Sequence, residues 1–412
     1  MRALLSILWM CACGSPASPP APVPAPVPSP PAEPAPEEPT PAPAQAVPPI
    51  AIDTHVDTPQ RMLDDGDDIA ERLPDGHLDL PRMREGGLSG AFFSVWVDPR
   101  DHPGEAGWER ALALTRAIRQ LPERHPDQAA LCTSAAEIRR AHEEGKIAVL
   151  IGVEGGHALG EPATEALALE RLRELFRLGA RYMTITWSND NVLGHSSGGA
   201  HPSRGLTDLG RSVVREMNRL GMIVDVSHVS DRTFWDIAEI AERPLLASHS
   251  SARALADHPR NMTDDMIRRV GQGGGAICIN FYSQFIDAAY HARRRELERQ
   301  HASEIVELRR EHPGSWARAS AQNALVRRLD PTLRGPTLET LGAHFQHVAE
   351  IAGPGAVCLG SDFDGVSELP EGLDDVSDLP ALRAELERRR LPIAAIYGDN
   401  VLRVLDAQRG VP

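Results

Sequence analysis

The chain has 412 residues, 42% of them hydrophobic, enough for one large domain or two of ordinary size around a substantial core. Its formal charge is −15 and no basic cluster stands apart from acids, which argues against nucleic acid or anionic lipid as the main partner and leaves small molecules as the expected class. Two of the five cysteines, Cys11 and Cys13, fall near the start; Cys132, Cys278 and Cys358 lie in apolar surroundings without metal-type spacing and read as buried free thiols, not as a disulfide framework.

Residues 1–13, "MRALLSILWMCAC", combine Arg2, a short apolar run and small residues around two cysteines, the pattern of a secretory leader of the lipoprotein type with Cys13 as the modified residue. Met10-Cys11 departs from that pattern, so a simple secreted form stays open. Residues 14–49 are rich in Pro and Ala and cannot bury enough surface to fold. As a semi-rigid spacer at about 3.1 Å per residue, such a tract reaches on the order of 100 Å. Anchor, spacer and a catalytic domain over 50–412 describe an enzyme of the bacterial cell envelope, facing the periplasm.

From residue 50, eight short apolar runs read as strands: "PIAIDTH", "LSGAFFSVWV", "IAVLIGVE", "ARYMTITW", "MIVDVSH", "PLLASHS", "AICINFY" and "AVCLGSDFDG". Nearly continuous apolar character implies burial on both faces, and the helical patterns between the runs imply parallel crossovers. Ser134 and Glu137 form a capping box; Leu209, Val213, Val214, Met217 and Leu220 make one helix face, and Leu338, Leu341, Phe345 and Val348 another. Gly179, Gly221 and Gly353 stand where left-handed helix caps are expected. The fold class is therefore α/β, a (β/α)8 TIM-like barrel with insertions, with a doubly wound open sheet as the alternative. Residues 285–335, highly charged, read as a helical excursion after the seventh run, its charges a solvated face.

Active sites of such barrels form at the carboxyl ends of the strands. In "AIDTHVDTP" the period of two would point Asp53, His55 and Asp57 to one face, and the later runs end in Glu154, His228, His249 and Asp362. With His55 and Asp57 taken from the first run, three imidazoles and three carboxylates (Asp57, Glu154 and Asp362) exceed the needs of one catalytic zinc, so two metals are expected, held against their repulsion by a bridging anion. Lys146, the only lysine, begins the third run at the wrong end of the barrel, which leaves Glu154 as the bridge. His55 and Asp57 then hold one metal and His228 and His249 the other, while Asp362 moves the proton; that Asp362 is a ligand only is the alternative. Gly155-Gly156 would let backbone approach the metals.

Residues 50–410 resemble the membrane (renal) dipeptidases through "DTHVDTP", "GVEGGHAL", "LTDLGRSVVREMNRLGMIVDVSHVS", "PLLASHSSARAL", "HPRNMTDDMI", "INFY", "GSDFDGV" and "GDNVLRVL". The resemblance implies a binuclear zinc peptidase with the same assignments: His55, Asp57, Glu154, His228 and His249 on two Zn(2+), Asp362 handling the proton, and Arg260 holding the dipeptide's free carboxylate. Tyr282 of "INFY" and Trp187 join the substrate-binding residues. Trp187 is also the departure, because it stands where mammalian members carry a histidine that contacts the reacting carbonyl; His195 or His201 of the following glycine-rich loop are candidates to replace it. The expected function is zinc-dependent dipeptide hydrolysis through a metal-bridging hydroxide, in a homodimer. The alternatives are a metal hydrolase of the same fold acting on other amides, lactams or esters, and a non-catalytic envelope binding protein. His/carboxylate sites also take manganese, cobalt or iron.

Overall fold

Among the described residues nine strands form in chain order: β1 Ile52–Val56, β2 Gly90–Trp96, β3 Ala129–Leu131, β4 Ile147–Glu154, β5 Ala180–Thr184, β6 Ile223–Asp225, β7 Leu246–Ala247, β8 Ala276–Ile279 and β9 Val357–Leu359. All pair in parallel in the order β2-β1-β9-β8-β7-β6-β5-β4-β3, and a further β2–β4 pairing closes eight of them into a barrel. The unanticipated β3 lies on β4 at Ala129–Leu131, below the point where β5 takes over the same edge. Closure excludes the open doubly wound sheet. This computed structural model describes residues 18–23, 25, 49–312 and 315–408.

The chain divides into two units, Met1–Ala46 and Val47–Pro412. The leader expected over 1–13, Cys13 included, lies outside the described residues, and so does most of the spacer expected over 14–49. Among the described residues no helix is long and apolar enough to cross a membrane.

Strand alternation sorts the core of the second unit into two clusters. Phe93, Val95, Ile151, Met183 and Ile277 pack against helices, whereas Ile52, Phe92, Leu150, Tyr182, Leu246, Cys278 and Cys358 fill the barrel interior. In the helix Asp208–Leu220, Val213, Val214 and Met217 are buried, and Thr207 caps its start through Gly210 N. At the helix Ala135–Glu143, Ser134 accepts from Glu137 N, but the Glu137 carboxylate takes the backbone N–H of Thr133 in place of that of Ser134, so the capping box is only half formed. Gly179 and Gly221 are left-handed caps; Gly353 has φ 85° and ψ 153° and turns the chain into β9 instead.

Two expectations need correction. Cys278 and Cys358 are not free thiols: they are register partners on β8 and β9 and form a disulfide across 80 residues of sequence, a proximity that only the strand pairing creates. Cys132 does remain free and buried, and burial pushes its thiol up to about 12. The excursion after β8 is helical, as Ala288–Gln300, Ala302–Glu311 and Ser315–Leu329, but it is not merely a solvated face. Arg294 within it is 1% exposed and pairs with Glu298 at 3.0 Å and with Glu368, beyond β9, at 3.1 Å. A buried guanidinium so partnered ties the helices to the rim of the barrel, because removing Arg294 would leave two carboxylates without their buried cation.

Candidate metal centre

The barrel delivers the candidate groups just past its strands more than on them. His55 lies in β1 and Glu154 ends β4, but His228, His249 and Asp362 stand two or three residues beyond β6, β7 and β9. His228 and Asp362 both take φ 67°, and Asp364 takes φ 63°. Left-handed backbone at non-glycine residues costs about 1–3 kcal/mol each and persists only where surrounding contacts impose it. Those contacts are present. The His228 carbonyl accepts from Ser197 N at 2.8 Å and Ser196 Oγ at 3.1 Å, and the Asp364 carboxylate accepts from His77 N and Thr58 Oγ1, each at 2.6 Å.

Six of the candidate side chains converge. His55 Nε2 lies 3.8 Å from Asp57, 3.4 Å from Glu154 Oε2 and 4.0 Å from Asp362 Oδ1. Glu154 Oε1 lies 2.8 Å from His228 Nε2 and 3.5 Å from His249 Nε2. Ligand atoms of His55, Glu154 and His249 fall within 4.8 Å of one another, and so do those of His55, Asp57 and Asp362. Asp53 joins neither group. The register between β1 and β2 is irregular between Asp53 and Val56, which breaks the alternation, and the Asp53 carboxylate accepts from His55 N and Ser361 N instead.

The far side of each imidazole decides what its near side offers. Tyr182 Oη donates to Thr54 O at 3.1 Å, so it accepts from His55 Nδ1–H at 2.7 Å. Ser248 Oγ donates to Asp225 Oδ2 at 2.6 Å and accepts from His249 Nδ1–H at 2.8 Å. In the neutral forms that bind a metal, both histidines thereby turn an Nε2 lone pair inward; in the metal-free chain burial works against a charge on His55, but Tyr182, Glu154 and Asp57 outweigh it and raise this imidazole well above its ordinary range. His228 Nε2 lies only 2.8 Å from His249 Nε2, while His55 Nε2 and Asp57 Oδ1 are buried without hydrogen-bond partners. The inward Nε2 lone pairs of His55 and His249 beside the orphaned Asp57 oxygen fit a bound divalent cation. Burial, and then the charge of Arg260, pushes His228 down to about 3, so this ring stays neutral. Burial works against the charge of Glu154, but His55, His228 and His249 outweigh it and hold the carboxyl well below its ordinary range. Asp362 is pushed up to about 7 by burial, against the pull of His55 and with the push of Asp57 and Glu154.

A cavity of about 210 Å3 opens over these groups, walled by Trp96, Trp187, Tyr282 and Phe285. Trp187 packs edge-on against Trp96 at 5.1 Å. His195 and His201 do not enter. His195 Nδ1 is spent on Gly205 O and the backbone of His201 on Asp190, and their loop serves instead to brace His228. Gly155 and Gly156 do not approach the centre either: a Cβ would meet His157 at the first and Leu193 at the second. The close approach is at Gly365, where a Cβ would stand 2.3 Å from Asp57 Oδ2 and 2.4 Å from Asp362 Oδ1. Arg260 is buried, donates to His249 O at 3.1 Å, and keeps Nε and Nη1 without partners.

A family model for membrane dipeptidases, peptidase family M19, matches residues 46–411. The chain belongs to the membrane dipeptidase family. It is accordingly a metallo-dipeptidase, a hydrolase of peptide bonds. Among solved structures it is similar to the M19 metallopeptidase described as dipeptidase AC, with 27% identity, TM-score 0.70, and 87% of this chain and 98% of that one covered. A metallopeptidase from Rhodobacter sphaeroides, liganded with a phosphinate mimic of the dipeptide L-Ala-D-Ala, is 26% identical with TM-score 0.70 over 87% and 99%. The probable dipeptidase PvdM from Pseudomonas aeruginosa, 23% identical with TM-score 0.72 over 87% and 95%, shares the fold.

Tyr182, Asp225, Ser248 and Asn280 escaped the sequence reading of this dipeptidase. Tyr182 is the middle residue of β5, far in sequence from His55, and reaches it across the barrel because Gly152 opposite leaves room; a Cβ there would lie 2.0 Å from the Tyr182 ring. Asp225, an acid inside the apolar run "MIVDVSH", was a visible signal. Tyr182→Phe is expected to weaken metal binding about 10–100-fold by releasing the His55 tautomer, with little change in fold. Competition against a chelator of known affinity measures it, and unchanged affinity would remove this role.

Proposed function

We propose that the chain cleaves the amide bond of small dipeptides at a centre for two divalent cations, with zinc the expected metal. Glu154 carries the reading: one carboxylate oxygen faces His55 and the other faces His228 and His249. A carboxylate divided in this way suits a bridge between two cations that need a shared anion. On this reading His55 and Asp57 hold one cation and His228 and His249 the other. When bound, such ions polarise a scissile carbonyl and lower the pKa of water to about 7.

The remaining work falls to protein groups. Asp362, its Oδ2 held by Asn280 Nδ2 at 2.9 Å, accepts a proton and later returns it to the departing amine. The unpartnered Nε and Nη1 of buried Arg260 leave it donors for the dipeptide's carboxylate. The cavity, at about 210 Å3, falls below the roughly 300–1,000 Å3 of pockets for drug-sized ligands, in keeping with a dipeptide. Arg260→Ala should raise KM for free dipeptides far more than for dipeptide amides; steady-state kinetics on the pair checks this, and equal effects remove the carboxylate role.

Trp187 favours a second reading, the same chemistry on N-acyl amino acids, lactams or esters, since an indole in the cavity wall cannot supply an imidazole's charge. The deciding experiment is metal analysis with a substrate panel, before chelation, after it and after reconstitution. Metal-dependent turnover confined to dipeptides supports the first reading. Turnover only of the other classes replaces it.

A further inference from the structure

A second, polar pocket of about 480 Å3 adjoins the catalytic cavity, and Tyr282 and Phe285 line both. Phe285 is the part of that wall that also packs on Arg260. It is half-buried, and three side chains pack on its ring: the Arg260 guanidinium at 5.3 Å, the His258 imidazole at 4.6 Å and Tyr282 at 4.8 Å. Asp257, His258 and Pro259, which directly precede Arg260, form one side of the outer pocket; His291 and Arg295 of the helix Ala288–Gln300 form the other.

We infer that Phe285 is the partition that limits the catalytic cavity to two residues of peptide, and that the outer pocket is where a third residue extends once the partition is cut back. The inference rests on the dipeptidase reading, in which Arg260 holds the carboxylate of the second residue. Chain continuing past that carboxylate meets the Phe285 ring, and behind it lies the pocket bordered by the residues leading into Arg260. That pocket has groups for a terminal carboxylate. His258 Nδ1 accepts from Arg260 N at 3.1 Å, so the neutral ring offers Nε2–H as a donor, and Arg295 on the facing helix, 3.7 Å from Glu298, supplies a cation beside the lining acids Asp257 and Glu298. The excursion after β8 therefore does more than cover the barrel: it builds the far side of a peptide-length filter.

The test uses the full-length, metal-loaded chain, its Phe285→Ala and Phe285→Leu variants, and L-Ala-L-Ala and L-Ala-L-Ala-L-Ala as substrates. The wild type should cleave the tripeptide far more slowly than the dipeptide. Phe285→Ala should raise kcat/KM for the tripeptide about tenfold or more in absolute terms, with Phe285→Leu intermediate, on the scale that one or two methylenes command in a shaped pocket. Metal content and melting temperature accompany each variant, and the Leu variant carries the comparison if the Ala variant loses metal. A tripeptide rate that stays at or below the wild-type value in the variants, while L-Ala-L-Ala is still cleaved, overturns the partition alone; so does a wild type that cleaves both peptides equally. A wild type that cleaves neither overturns the dipeptidase reading, and the partition falls with it.

Discussion

Replacing Glu154 by Gln is expected to lower metal affinity by about a hundredfold to ten-thousandfold, with activity at limiting metal falling in step. The substitution preserves shape and removes one charge from a group that is 2% exposed and lies within 3.5 Å of three imidazole nitrogens. Taking one partner from a buried charged pair costs about 3–5 kcal/mol, and each 1.4 kcal/mol is a factor of ten. Of the cluster's acids, Glu154 alone turns separate oxygens toward the two histidine groups, so both halves of the centre should weaken together. Titration of the metal-free protein with zinc or cobalt reads the effect. Two metal equivalents bound with wild-type affinity would end the bridging role.

Asp362→Asn separates proton transfer from metal binding. As the acid/base group, Asp362 should give a kcat about 10²–10⁴-fold lower in its Asn variant, with metal content kept. As a ligand only, it should lose metal first and activity in proportion. Its position near both His55 and Asp57 makes the distinction worth measuring. A second signature follows from the carboxyl's rise to about 7 from an ordinary value of 3.8. Between those two values the folded metal-free chain binds the proton that the unfolded chain releases, so Asp362 costs stability progressively as pH rises from about 4 to 7. The metal-free Asn variant should therefore melt higher than the metal-free wild type at pH 8, with the gap from this group closing toward pH 4. Calorimetry of the two chelated proteins across that range checks the sign, and a variant that melts lower at pH 8 contradicts it.

Both experiments target residues legible without coordinates. Polar groups that terminate apolar runs are conspicuous, and "GVEGGH", "DVSH", "ASHS" and "GSDFDG" each interrupt a run whose burial leaves an acid or imidazole little reason to be there except chemistry. What went astray was local geometry. The alternation rule aligned Asp53 with His55, and the irregular β1 register undid it. Gly155-Gly156 attracted attention beside Glu154, while the glycine that the carboxylates cannot do without is Gly365. Three scattered cysteines looked unrelated until β8 and β9 paired in register.

The amino-acid order alone determined the parallel alternation of strands and helices, the inventory of three imidazoles and three carboxylates, and the family, because periodicity and residue type are properties of short segments. Tertiary structure alone decided that Tyr182, Ser248 and Asp225 set the tautomers of His55 and His249, that His228 and Asp362 turn inward on left-handed backbone, and that Phe285 separates two pockets. Those outcomes depend on ångström-scale distances between groups tens to hundreds of residues apart, which barrel closure creates and which no local rule of chain conformation contains.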